Sequence, residues 1–297
     1  MILLRLKGGL GNQLFQYATA RSLSIKYQCP ILLDRTSYLP HQKLKKSTTY
    51  RQFGLWTYEL SNIPNVYNSE KSNSYKQYIE CINQKLTTSK ITTIFREKDP
   101  RCFDEEVFKL SPPFILDGYF QSRHYFSDFH KVLIKDFTLA TTLDSANLKF
   151  IDIINSTNSV AVHIRRGDYV TNAAANSHHG SLPLSYYVSA INFVQDQVIE
   201  PVFNFFSDDL EWCKKYFSFL SPRQVNFIDI NKGAHPSLDL NLMSQNKHII
   251  IANSSYSWWA AWLRKNKKGF VLYPSEWIQK DFRKSELFPR SWTKIYC

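Results

Sequence analysis

The stretch 160–169, VAVHIRRGDY, sets the reading of this chain. Val160, Val162 and Ile164 alternate with Ala161 and His163, the pattern of a buried strand, and the strand runs straight into Arg165, Arg166, Gly167 and Asp168. In open α/β sheets the carboxyl edge of the strands is where ligands bind. Arginine is always charged, and its rigid fork of donors matches phosphate oxygens. Two arginines at such an edge point to a di- or polyanionic ligand, and a nucleoside diphosphate fits. The plain alternative, for the decapeptide alone, is a solvated turn with a weak surface ion pair.

Working outward, the rest of the second half alternates strand-like and helix-like runs. Leu184–Val194 reads as a helix, Val202–Phe206 as a strand, Leu210–Phe217 as a helix and Val225–Ile228 as a short strand. Leu238–Ser244 reads as a helix, His248–Ala252 as a strand, Ser257–Leu263 as a helix, and Val271–Tyr273 closes the series. That alternation implies a parallel, doubly wound sheet. The first half opens the same way, with a strand over Met1–Lys7, the turn Gly8-Gly9-Leu10-Gly11-Asn12, a helix over Gln13–Tyr27 and a strand Ile31–Leu33. A further strand is read at Phe114–Gln121, whereas residues 37–98 are polar and weakly periodic and read as loops and irregular helix. The stretch Phe137–Ser159, where the helix-like run Leu143–Ile154 passes into polar NSTNS, reads as the inter-domain boundary, giving domains 1–155 and 156–297.

The 297 residues suffice for two cores. A net charge of +12 favours anionic partners such as nucleotides or the acidic face of a membrane. The charge is spread along the chain, and no helix-turn-helix, zinc-finger or RNA-recognition signature accompanies it, so nucleic acid is not an expected partner. Five scattered cysteines without a C-x-x-C pair indicate neither a disulfide framework nor a zinc site and suit a reducing cytoplasm. No stretch approaches the ~20 apolar residues of a membrane span.

Several candidate site residues follow. The glycine-rich turn lets backbone N–H groups approach a ligand at a helix start through Gly9, Gly11 and Asn12, although it is not a dinucleotide fingerprint and reads equally as a tight structural turn. Ser207, Asp208 and Asp209, at a strand end, suit a guanine or ribose edge; alternatively Asp208 or Asp209 caps the following helix, and both roles can coexist. The NSSYS loop at 253–257, with three hydroxyls and an amide just before a helix, suits a phosphate cradle, with an N-cap by Ser257 as the alternative. His163 is either a satisfied core histidine or a nucleotide contact. Trp258, Trp259 and Trp262 read as core.

Five segments, GGLGNQLFQYA at 8–18, LDGYFQSRHYF at 116–126, HIRRGDY at 163–169, FFSDDLEWC at 205–213 and LNLMSQNKHIIIANSSYSWWAAWL at 240–263, together resemble the bacterial α-1,2-fucosyltransferase family. The resemblance implies an α/β, GT-B-like fold of two Rossmann-type domains, the donor site lying in the cleft, with an acceptor-side N-terminal domain and a GDP-fucose-binding C-terminal domain. It implies transfer of L-fucose from GDP-β-L-fucose to the 2-hydroxyl of a terminal galactose, with inversion and without a metal or other cofactor. Carried onto this sequence, Arg165 contacts the β-phosphate, His163 and Asp208 face the guanine, and Ser254 and Ser255 complete the phosphate cradle. Gly9, Gly11 and Asn12 close over the donor. Arg166 pairs with Asp168 to hold the loop. Inverting transfer needs a group to take the hydroxyl proton, for which Asp168 and His179 are the candidates; the stretch Thr171–Asn176, where related fucosyltransferases place a carboxylate, holds none, a departure from their pattern. The expected acceptor is a galactose-terminated oligosaccharide or lipid-linked glycan of an O-antigen or lipopolysaccharide. The expected place is the cytoplasm, with peripheral contact to the anionic inner face of the membrane. A non-catalytic nucleotide-sugar or glycan binding protein is the alternative function.

Overall fold

The computed structural model describes residues 1–38, 51–60, 84, 87, 88, 93–100, 102–167, 181–233, 235–277 and 287–296. The chain divides into two compact units, Met1–Ala140 with Lys284–Phe288, and Thr141–Arg283 with Pro289–Cys297. The division falls before the helix Ser145–Ser156, which belongs to the second unit instead of lying within a domain ending at 155. A buried side-chain pair holds it there: Asn147 and Asn231 exchange reciprocal amide hydrogen bonds of 2.9 and 3.0 Å. Of the polar NSTNS run, Asn155 and Ser156 end this helix, Thr157 makes the turn, and Asn158 and Ser159 begin the next strand.

In the first unit, β1 (Ile2–Arg5) leads through the glycine turn into α1 (Leu10–Tyr27), then β2 (Ile31–Asp34), β3 (Thr93–Phe95) and β4 (Phe114–Leu116), with α2 (His130–Asp136) after them. The strands form a parallel sheet in the order β2-β1-β4-β3. The helix α1 begins at Leu10, inside the glycine turn, and is buried from Leu10 to Leu14 and onward to Ser24 apart from Asn12. It stops at Gln28, whose left-handed φ of 48° closes the C-terminus. Inside this unit Asp136 is fully buried and accepts hydrogen bonds from the Tyr17 hydroxyl at 2.7 Å and from Arg21 Nε at 2.9 Å.

The second unit contains α3 (Ser145–Ser156), β5 (Asn158–Ile164), α4 (Leu184–Gln197), β6 (Pro201–Ser207), α5 (Leu210–Tyr216), β7 (Val225–Phe227), α6 (Pro236–Gln245), β8 (His248–Ile250), α7 (Ser255–Trp262), β9 (Val271–Pro274) and β10 (Thr293–Ile295). Its sheet is parallel throughout, in the order β10-β9-β8-β5-β6-β7. Numbered from β5 this is 3-2-1-4-5-6, the order of Rossmann-type sheets, whose ligand crevice lies where the order reverses, here beside the carboxyl ends of β5 and β8. Both faces of β5 are covered. Val160, Val162 and Ile164 pack into a core with Tyr186, Ile191 and Val194 of α4 and Phe203 and Phe205 of β6, while Ala161 and His163 on the other face are also buried. The strand β10, outside the series read from sequence, extends the sheet beyond β9. Trp258, Trp259 and Trp262 are core residues. The fold is α/β, built on two parallel sheets.

Candidate functional site

The loop leaving β5 is held by the loop leaving β6. Arg165 Nη1 lies 2.7 Å from Asp208 Oδ2, and the Arg166 backbone N–H donates to Asp208 Oδ1 at 2.8 Å. A Cβ at Gly167 would stand 2.8 Å from Asp208 Oδ2, so glycine is what lets the backbone pass this carboxylate. Both carboxylate oxygens therefore serve the arginine pair, and Asp208 orients Arg165. Arg166 turns elsewhere: its Nε is 3.3 Å from Asp209 Oδ2, and its guanidinium lies 4.3 Å from the centre of the Trp212 ring, a cation–π contact. Among the described residues the side chain of Arg166 thus pairs with Asp209; Asp168, its expected partner, lies outside them. Asp209 also caps α5, accepting the Trp212 N–H at 3.1 Å, so the capping role falls to Asp209 and leaves Asp208 for the arginines.

His163 sits one residue before this edge, 5% exposed, with its ring 5.4 Å from that of Tyr256. Burial pushes its pKa down to about 3; Asp208 opposes the shift and Arg165 adds to it. The imidazole is therefore neutral at pH 7, with one donor and one acceptor nitrogen. Its Nδ1 has no hydrogen-bond partner among the described residues. A buried nitrogen left open beside a charged edge is what a ligand or a water satisfies.

On the other side of β5, β8 leads through Asn253 into α7. Ser254, not Ser257, is the N-cap: its Oγ accepts the Tyr256 N–H at 3.3 Å. Ser257 is buried, its hydroxyl donating to the carbonyls of Ala252 at 3.4 Å and Ser254 at 3.3 Å, and so fixes the turn from below. Ser255 is the first residue of α7, where helix N–H groups and the positive end of the helix dipole favour an anion. His163, Arg165, Arg166, Asp208, Ser254 and Ser255 thus come from the carboxyl ends of three adjacent strands of one sheet.

The first unit has its own site-like edge at the carboxyl end of β1. Gly8 is left-handed at φ 82°, and a Cβ there would lie 2.5 Å from Asn12 Nδ2. Gly9 caps α1 without a side-chain hydrogen bond, and Gly11 is buried in its first turn. Two glutamines fasten the turn. Gln13 Nε2 donates to the carbonyls of Gly8 at 3.1 Å and Gln52 at 2.8 Å, and Gln16 both accepts from and donates to the Lys7 backbone at 3.1 Å. Gln121, from the loop after β4, donates to Asn12 Oδ1 at 2.8 Å. That loop is gripped by Glu97, whose carboxylate accepts the N–H groups of Tyr119 and, at 2.7 Å, Phe120. Burial pushes the Glu97 pKa up, and the two N–H donors work against the shift. The strand ends at Leu116, well before Gln121, and in the loop that follows Phe120 is left-handed at φ 54°. Gln13, Gln16, Gln121 and Glu97 were absent from the residues singled out in the sequence. The spacing of Gln13 and Gln16, polar in an apolar helix and three apart, was the one available signal. Asp168 and His179 lie outside the described residues.

A family model described as Glycosyl transferase family 11 matches residues 1–296. An Alpha-1,2-colitosyltransferase of Escherichia coli is 35% identical over 302 residues, covering 99% of each chain. The O-antigen biosynthesis glycosyltransferase WbnK of Escherichia coli is 30% identical over 311 residues, covering 98% of this chain and 99% of that one. Galactoside 2-alpha-L-fucosyltransferase SEC1 of Bos taurus is 24% identical over 188 residues, covering 61% of this chain and 51% of that one. With the family model spanning nearly every residue, and two relatives at or above 30% identity matched along almost their full length, this chain belongs to glycosyl transferase family 11.

Proposed function

We propose that this glycosyltransferase moves L-fucose from GDP-β-L-fucose to the 2-hydroxyl of a terminal galactose in a bacterial surface glycan such as an O-antigen unit, inverting the anomeric carbon. The observation that carries this reading is the Arg165–Asp208 pair beside the unpartnered Nδ1 of His163 and the α7 N-terminus, at the switch point of the second sheet. Arg165 takes the β-phosphate, Ser254 and Ser255 cradle the diphosphate, and His163 faces the guanine. Asp208 is assigned to orienting Arg165, because both of its oxygens already accept hydrogen bonds from the arginine pair.

In the reaction the C1–O bond breaks with its electron pair passing to the β-phosphate oxygen of the departing GDP. The acceptor O2 bonds to C1 from the opposite face and loses its proton to a base, for which Asp168 and His179 remain the candidates. The demand on the protein is greatest at the leaving diphosphate. A guanidinium and backbone donors fixed beforehand meet that demand without reorganisation, so this mechanism assigns no role to a divalent metal. The experiment is GDP release from GDP-fucose over a panel of galactose-terminated oligosaccharides, with the product linkage read by NMR. Turnover unaffected by EDTA and nearly abolished in Arg165→Ala is expected. Wild-type turnover of Arg165→Ala at saturating donor refutes the phosphate role, and GDP binding without turnover on any acceptor favours a binding protein. A second donor is favoured by the 35% identical colitosyltransferase. Colitose is L-fucose without its 3-hydroxyl, so GDP-colitose fits the same phosphate and guanine contacts, and the ratio of kcat/KM for the two donors decides between them.

A further inference from the structure

Because the second sheet is parallel throughout, every strand starts on one edge and ends on the other, about 20 Å away for a strand as long as β5. The carboxyl edge carries the candidate site. The amino edge is cationic along the half formed by β8, β9 and β10. Lys247 precedes β8, the turn before β9 carries Lys265, Lys267 and Lys268, and Arg290 precedes β10. No Asp or Glu occurs in residues 240–275 or 287–296. Lys265, Lys268 and Arg290 are exposed, and no ion pair among the described residues engages them or Lys247. Lys247 Nζ donates to Asn158 Oδ1 at 3.3 Å and Lys267 Nζ to the Trp262 carbonyl at 3.1 Å. Among the described residues Asp196 and Glu200 flank the start of β6, on the far side of β5, and Asp152 lies one turn from the end of α3, before β5.

The turn bearing the lysines is rigidly mounted. Arg264 is buried and its Nη1 donates to the carbonyls of Lys247 at 2.9 Å and Phe270 at 3.2 Å. Gly269 packs so closely beneath the Lys247 carbonyl that a Cβ would stand 1.8 Å from its oxygen. The cations therefore form a fixed row across adjacent strand starts, a shape suited to a planar polyanion.

We propose that this edge is the surface by which the protein rests on an anionic lipid bilayer, leaving the donor-site edge of the same sheet turned away from the lipid. The proposal goes beyond the donor and acceptor reading and stands or falls independently of it. The test is co-sedimentation of the full-length protein with phosphatidylcholine vesicles lacking or containing about one third phosphatidylglycerol, where each basic residue near the surface is worth roughly a factor of five in binding. Binding to the anionic vesicles alone, weakening with salt, is expected. Lys265→Glu with Lys268→Glu should lower it by about tenfold or more, whereas Lys131→Glu with Lys149→Glu, an equal change of charge at exposed sites elsewhere, should lower it less than about threefold. GDP release on a soluble acceptor should be unchanged in both double variants. Equal losses in the two pairs, no binding of the wild type to anionic vesicles, or displacement from the vesicles by duplex DNA at equal phosphate concentration overturns the proposal.

Discussion

The assignment of Asp208 to Arg165 is open to a direct test with Asp208→Asn. The substitution keeps the shape and one acceptor oxygen but removes the charge that holds Arg165 Nη1 at 2.7 Å and the second oxygen that accepts the Arg166 N–H at 2.8 Å or its equivalent. Hydrogen bonds to charged groups contribute ~1.5–3 kcal/mol in mutational series. Here both side chains are about a quarter exposed, which screens the pair, so the lower half of that range applies. Deleting a fixed donor outright in an oxyanion-type site costs ~10²–10³ in rate. Asp208→Asn leaves the donor in place but unfixed, so kcat should fall by about ten- to fiftyfold, equivalent to roughly 1.4–2.3 kcal/mol of lost transition-state stabilisation. The assay is GDP release at saturating donor, together with the affinities of GDP and inosine diphosphate, which lacks the 2-amino group of guanine. An orienting role leaves the preference for GDP over inosine diphosphate intact while kcat drops. Collapse of that preference with kcat preserved would refute the reasoning and return Asp208 to the guanine edge.

Acid should unfold the protein through its buried histidines. Burial holds His163 near 3 and His248, which accepts the Phe270 N–H at 3.0 Å, near 4, both below the ~6.5 of an unfolded chain. Their folded pKa values are depressed, so the unfolded state takes up protons first; their contribution is complete above pH 6.5 and is lost as pH falls toward 4 and 3. Urea midpoints at pH 7.5, 5.5 and 4.5 should decline in that order, and a flat series contradicts the burial argument. Asp136→Ala leaves Arg21 buried without its counter-charge and the Tyr17 hydroxyl without its acceptor, and should destabilise by about 3–5 kcal/mol, read as a drop in Tm. Glu97→Gln replaces one of two oxygens gripping the Tyr119 and Phe120 N–H groups with a second donor. It should raise a substrate KM more than it lowers kcat, with Glu97→Asp recovering part of the loss; an unchanged KM removes Glu97 from the support of the Gln121–Asn12 contact.

What the sequence disclosed follows from where each interaction is written. The strand β5 was legible because a run buried on both faces must be apolar and β-branched, and its sheet-end arginines are contiguous with it. Its neighbours were legible for the same reason to within a few residues. The strand β3 was not, because Thr93 and Ile94 are exposed on an edge strand and alternate with nothing. A three-residue run at Thr293–Ile295 is likewise too short to show a period. Glu97 left no trace because its partners are backbone N–H groups 22 and 23 residues downstream, which carry no side-chain signature. The division after Ala140 lies inside the stretch 137–159 read from the sequence, but its position there was not legible for a related reason: the amide pair joining Asn147 to Asn231 spans 84 residues.

One feature of the site becomes intelligible only when both motifs are set on the sheet. The parallel register places Ile164 opposite Ser207. Continued one step past the strand ends, it sets Arg165 opposite Asp208 and Arg166 opposite Asp209, and these are the pairs that form, at 2.7 and 3.3 Å. Successive residues at a strand end project to opposite sides, so the doubled arginine and the doubled aspartate separate into two ion pairs with different surroundings. One lies beside His163; the other is drawn onto Trp212 and the start of α5. A slip of one residue would exchange the two environments. It would bring Arg165 against the aromatic face and leave Arg166 beside His163. The RR and DD dipeptides, which look redundant in the sequence, therefore stand in unequal surroundings, and the strand register decides which arginine stands beside His163.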